Sequence, residues 1–201
     1  MLAAGCAAER TRPAARASVA IEDAPAWRNT IASEDEGRLA ALPAALQGLA
    51  ARLPARVRTA QGALLDPQAG LDYPALPPGA YRCRTLRLRA GGRATILRTT
   101  PADFCNVSGA PDGLAYARQT GAEPAAGYFY PDGRRYIFLG ARQARAGDNS
   151  IGYQHDRKRD LVGVVERVGG FRWRIAVPGT SAGAVDIVEL TPVPPEQQPR
   201  G

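Results

Sequence analysis

From Pro77 onward the chain is built of short segments in which apolar and polar residues alternate, interrupted by Gly, Pro, Asn or Asp. A period of 2 puts successive side chains on opposite faces of a strand, and the interruptions leave little room for a helix. The pattern predicts nine strands: Ala80 to Leu88, Ala94 to Arg98, Phe104 to Ser108, Leu114 to Thr120, Gly127 to Tyr130, Arg135 to Ala141, Leu161 to Val168, Phe171 to Val177 and Val185 to Leu190. Two connections constrain register. Pro131-Asp132-Gly133 joins Tyr128-Phe129-Tyr130 to Tyr136-Ile137-Phe138, and Gly169-Gly170 reads as a two-residue hairpin turn of the primed type. The expected fold is mainly β, a small antiparallel up-and-down barrel of about eight strands, with a two-sheet sandwich as the alternative.

The 201 residues suit one domain, and every Tyr, Phe and Trp except Trp27 lies at residue 73 or later, so the core belongs to the β part. Residues 1–26, rich in Ala and Arg and without periodicity, read as a signal remnant and disordered tether; 27–192 form the domain. Within it 27–62 are helical and 78–192 are the barrel, and 193–201 read as a loose tail. Ser33 followed by Glu36 resembles a capping box, which starts a helix near Glu34. Leu39, Leu42, Leu46, Leu49 and Leu53 then recur at spacings of 3, 4, 3 and 4 and share one face. Pro43 interrupts this run and predicts a kink or two short helices. The leucine face is expected to cover an open end or side of the barrel.

The formal charge is +7, and every basic residue except Lys158 and His155 is arginine. No stretch interleaves basic and aromatic residues as a nucleic-acid platform does, and no segment is long and apolar enough for a membrane helix. The three cysteines divide into two environments. Cys6 closes Leu2-Ala3-Ala4-Gly5-Cys6, which matches the end of a bacterial lipoprotein signal, although only five residues precede it. The match is partial: lipidation at Cys6 is expected, with an upstream start supplying the rest of the signal, and the alternative is a chance resemblance. Cys83 and Cys105 stand on flanking strands 22 residues apart and read as a disulfide, with two buried thiols as the alternative. Closing that loop contributes roughly 3 kcal/mol by restricting the unfolded chain.

A turn at 169 and 170 would set Val168 opposite Phe171, Glu166 opposite Trp173 and Val164 opposite Ile175. Glu166 is then expected to point inward with Phe171, Trp173, Ile175 and Val177, while Arg167, Arg172 and Arg174 point out. An inward carboxylate is costly unless paired, and Arg82 and Arg84 are its candidate partners because they share a face with Leu86 and Leu88. The alternative is a ligand-binding or proton-transferring carboxylate in a barrel mouth, with Glu166, Arg82, Arg84 and Trp173 as binding candidates. Glu189 could join Glu166 as an acid and base couple. His155 lies in a polar run, no multi-histidine metal spacing exists, and no serine sits in a Gly-x-Ser-x-Gly elbow. No catalytic residue, metal or cofactor is assigned.

Five blocks of sequence resemble a bacterial family of envelope proteins, the domain-of-unknown-function family 4893. They are Trp27 with Asp35, Arg38 and Leu39; Pro78-Gly79-Ala80-Tyr81-Arg82-Cys83-Arg84; Phe104-Cys105-Asn106-Val107-Ser108; Tyr130-Pro131-Asp132-Gly133 with Phe138-Leu139-Gly140; and Asp160 through Trp173-Arg174. The resemblance implies export and a common fold and brings no known activity.

The expected role is therefore a non-catalytic binding or structural module, monomeric, in the periplasm or on a lipid anchor of a Gram-negative envelope. Its partner would be an envelope component or small ligand, without nucleic acid. Two rival roles are an inhibitor of secreted proteases and a carboxylate-dependent enzyme acting on envelope glycans. Intact mass of the protein recovered from membranes of its native host, expressed from an upstream start, is expected to show a diacyl or triacyl group on Cys6. The same spectrum should show a two-proton deficit from Cys83 and Cys105; an unmodified cytosolic chain with three free thiols would refute both assignments.

Overall fold

The computed structural model describes residues 26–145, 148 and 151–197. Nine strands form one antiparallel sheet: β1 (Gly79–Gly91), β2 (Ala94–Thr99), β3 (Asp103–Ala110), β4 (Gly113–Arg118), β5 (Ala125–Asp132), β6 (Arg135–Arg142), β7 (Asp160–Gly169), β8 (Arg172–Pro178) and β9 (Val185–Pro192). Pairing of β1 with β9 closes it into an eight-stranded barrel, so the barrel holds and the sandwich does not. The long β1 shares one edge between two partners, β3 along Gly79 to Cys83 and β2 along Leu86 to Gly91. β2 is thus an extra strand appended to the barrel.

Period 2 divides the residues between two cores. Tyr81, Cys83, Cys105, Val107, Tyr116, Phe129, Phe138, Val165, Trp173, Ile175 and Leu190 fill the lumen, where the Cys83–Cys105 disulfide joins β1 to β3. Leu86, Leu88, Ile137, Leu139, Val162, Val164, Val185 and Ile187 form the outer wall on the opposite parity. Helix α2 (Ser33–Ala51) covers that wall with Leu39, Leu42, Leu46 and Leu49, all nearly inaccessible, so the helix closes a side of the barrel and not an end. It is flanked by α1 (Ala26–Thr30) and α3 (Ala55–Gln61).

Three local expectations are corrected. Pro43 lies inside α2, which runs unbroken from Ser33 to Ala51 and is not divided into two short helices, because the leucine face stays buried against the sheet. Ser33 is the first helical residue and not the cap: Ala32 holds that position without a side-chain bond, and its N–H donates to the Tyr153 hydroxyl at 3.1 Å. The β7–β8 turn lies at Gly170-Phe171, one residue later than expected, with Gly169 paired to Arg172 and a bulge at Val168. That slip sets Glu166 opposite Arg174 and Val165 opposite Ile175. A one-residue slip moves every side chain of a strand to the other face relative to its partner. Phe171, expected inside, is 79% exposed at the turn.

At the C-terminal end Val193 is buried and its N–H donates to Ala80 O, so the fold extends past residue 192 into a 3₁₀ turn at Pro195–Gln197. The rest of the expected tail, and the tether with Cys6, lie outside the described residues.

The helical layer is fastened to the barrel by charge as well as leucines. Asp35, fully buried in the first turn of α2, accepts hydrogen bonds from the Tyr153 hydroxyl (2.5 Å), Arg38 (2.6 Å) and Arg157 (3.0 Å). Arg157 also donates to Asp160 at the start of β7, and to Glu34. Burial pushes the Asp35 carboxyl up, but the three donors outweigh it and hold it below the usual 3.8. A carboxyl with a lowered folded value stabilises above the unfolded value and loses that contribution as pH falls through the folded one. Asp35→Asn is expected to lower stability at neutral pH by roughly 1–3 kcal/mol. In urea melts run across pH, the gap from wild type should narrow below 3.8; a gap independent of pH would show that the Asp35 charge does not fasten the helix.

Candidate functional site

The two ends of the lumen differ. At one end the segment leading into β1 crosses the opening: Trp173 Nε1 donates to Pro74 O at 2.8 Å, the Tyr81 hydroxyl donates to Pro77 O at 2.5 Å, and Leu76 is buried beneath them. At the other end the lumen core stops short and leaves a cavity of 190 Å³. Its floor and walls come from inward positions of six strands: Thr85 and Arg87 on β1, Arg118 on β4, Ala125 on β5, Leu161 on β7, Val177 on β8, and Asp186 and Val188 on β9. Arg89, Glu123, Arg142 and Thr180 complete the rim.

Period 2 explains why charge collects there. Tyr81, Cys83, Thr85 and Arg87 are successive inward residues of β1, so the strand enters the lumen apolar and leaves it cationic. On β9 the inward series is Leu190, Val188 and Asp186, which brings the carboxylate to the same level, with Asp186 paired to Arg87 in the β1–β9 register. Four guanidiniums therefore surround the cavity with two carboxylates, Asp186 and Glu123, and a third, Asp103, lies behind Arg118.

The arginines are held to different degrees. Arg118, 5% exposed, donates to Asp103 through Nε (3.2 Å) and Nη2 (2.6 Å) and to the Thr85 hydroxyl (2.9 Å), so its position is set by both partners. Arg89 donates to the hydroxyls of Thr180 (3.1 Å) and Ser181 (3.0 Å). Arg87 pairs with Glu123 through Nη2, while its buried Nε has no hydrogen-bond partner among the described residues. The Oδ1 of Asp186 is likewise buried and without a hydrogen bond. Burial pushes the Asp186 carboxyl above its usual value in spite of the attraction of Arg87, Arg89 and Arg142. Deeper in the lumen burial pushes the Tyr116 phenol up to about 12, against the pull of Arg118, so that layer is uncharged.

The binding candidates singled out from sequence lie elsewhere, with Trp173 in the lumen but at its opposite end. Glu166 is on the outer wall, and the expected pairing with Arg82 or Arg84 is not made. The register slip gives it Arg174 instead, whose Nε (2.9 Å) and Nη2 (2.7 Å) both donate to Glu166 Oε2. Arg174 is 1% exposed because residues 62–66 cross over it, and its Nη1 donates to the carbonyls of Ala63 (3.0 Å), Leu64 (3.2 Å) and Asp66 (2.5 Å). The pair thus pins the chain after α3 to the barrel. Arg84 pairs with Glu189, whose other oxygen accepts from Arg172 at 2.5 Å, and Arg82 donates to Gln197 at 3.1 Å. Among the described residues, no cluster of three or more His, Cys, Asp or Glu side chains could hold a metal ion.

The family model for the domain of unknown function DUF4893 matches residues 27–190, nearly the whole described structure. The chain belongs to the DUF4893 family. No curated protein and no solved structure matches it. In this DUF4893 domain Arg87, Arg118, Arg142 and Asp186 went unnoticed in the sequence, although one signal for them was available. Once Tyr81 and Cys83 are taken as inward, the same parity carries Arg87 into the lumen.

Glu166→Gln leaves the Arg174 charge under residues 62–66 with carbonyl partners and a weakened fourth contact. It is expected to cost roughly 2–4 kcal/mol in urea melts. An unchanged midpoint would show that the pair does not hold this layer in place.

Proposed function

We propose that the protein is a non-catalytic binding module of the bacterial envelope that takes a small anionic ligand into the open mouth of its barrel. The observation that carries this reading is the set of arginines around the 190 Å³ cavity, one of them with a buried donor left over. Four guanidiniums outnumber the nearby carboxylates and leave the cleft net positive, which over low-dielectric walls concentrates anions, and guanidinium matches carboxylate and phosphate geometry. Arg118 adds a fixed positive charge at the cavity wall, since Asp103 and Thr85 hold it in place before anything binds. The side chains are ordered for holding a molecule. Glu166 and Glu189, the couple on which an enzymatic reading would rest, are both engaged by arginines on the outer wall.

Export supports the same reading in two ways. The disulfide between Cys83 and Cys105 suits an oxidising compartment, and the Cys6 motif suits a lipid anchor in the periplasm. A monomer on a tether would leave the barrel mouth free to collect its ligand.

Calorimetric titration with short-chain carboxylates and inorganic phosphate is the test. Saturable binding that weakens as salt rises is expected, and Arg142→Gln, on the rim and outside the Arg118 network, should weaken it about tenfold. Absence of binding at millimolar ligand, or binding untouched by Arg142→Gln, would overturn the assignment.

A further inference from the structure

The cavity wall sets a carboxylate among guanidiniums, and Arg87 and Asp186 each keep one buried polar atom without a partner. Arg87 and Asp186 are register partners across β1 and β9, yet Arg87 Nε and Asp186 Oδ1 are bonded neither to each other nor to another group among the described residues. A carboxylate set among guanidiniums at one level of a cavity calls for a guest that offers an anion and a donor together. A plain anion satisfies Arg87 and Arg142 but meets Asp186 with repulsion. A plain amine satisfies Asp186 and is repelled by the arginines. Resting on the reading of the mouth as an anion site, we infer that the ligand is a small carboxylic acid bearing a hydroxyl or ammonium group beside its carboxylate.

Three further features narrow the class. A doubly charged phosphate would feel Asp186 more strongly than a singly charged carboxylate, which favours the carboxylate. Ala125, Leu161, Val177 and Val188 give the wall an apolar part, which suits an aliphatic remainder of the guest. The volume of 190 Å³ somewhat exceeds the cavity of about 150 Å³ that accepts a benzene ring, which limits the enclosed part to roughly six to ten non-hydrogen atoms. Together these describe a short α-hydroxy or α-amino acid, with its carboxylate on the arginines, its donor on Asp186 and its alkyl group on the valines.

Propionate, lactate and alanine isolate the donor, because they share a three-carbon acid and differ only at the α-carbon. Titrated calorimetrically into the full chain, lactate or alanine is expected to bind at least about tenfold more tightly than propionate, since a site that hydrogen-bonds a hydroxyl or amine discriminates against the analogue lacking it. In Asp186→Asn, checked for folding by its melt and intact disulfide, the advantage of alanine over propionate should disappear while propionate binds as well or better. Equal binding of all three acids to the wild-type protein would overturn the inference and leave the anion-binding mouth standing. If neither these acids nor phosphate binds, both fail. The wild-type comparison needs no variant, so it decides the inference even if Asp186→Asn does not fold.

Discussion

The β1–β9 ladder is the contact on which the rest of the structure depends. Eight register pairs, from Tyr81 with Pro192 to Leu88 with Val185, turn an open meander into a closed barrel. Closure creates the distinction between a lumen and an outer wall, and hence the two cores. It also pairs β9 with β1, so that the appended β2 alone ends the sheet. The same ladder brings Arg87 and Asp186 to one level of the lumen, so the candidate site is a consequence of closure. The disulfide reinforces this geometry from the other side of β1, where only five residue pairs join it to β3 before β2 takes over the edge.

Charge is distributed according to what each surface must do. On the outer wall the carboxylates of Glu166 and Glu189 are each engaged by arginines, and Arg174 satisfies three carbonyls of the chain that crosses it. Around Asp35 the donors converge on a single carboxylate at the start of the helix that covers the wall. These networks are saturated, as buried charges must be. At the barrel mouth the pattern changes, because Arg87 Nε and Asp186 Oδ1 are buried and have no hydrogen-bond partner among the described residues.

Much of the architecture was legible before any coordinates. The nine strands begin and end within a few residues of where alternation and turn residues set them, because a period of 2 bounded by Gly, Asn, Asp or Pro is a local property of the chain. The leucine stripe on α2 and the disulfide partners were equally visible. What misled was the Gly169-Gly170 pair, read as the turn itself. The chain turns one residue later, and the bulge at Val168 absorbs the difference. From that single residue followed the wrong partner for Glu166 and the wrong face for that carboxylate.

The sequence by itself determined the elements, their antiparallel order and which residues are apolar on one side of each strand, since these depend on neighbours two to four positions away. Only the tertiary structure decided which side of the closed sheet is the lumen, which arginine meets which carboxylate and which end of the barrel stays open. The physical reason is that both faces of most strands are buried, one by the lumen and one by the helix. Hydrophobicity then no longer labels inside and outside, and the choice passes to hydrogen-bond register and barrel closure, which join residues about a hundred positions apart.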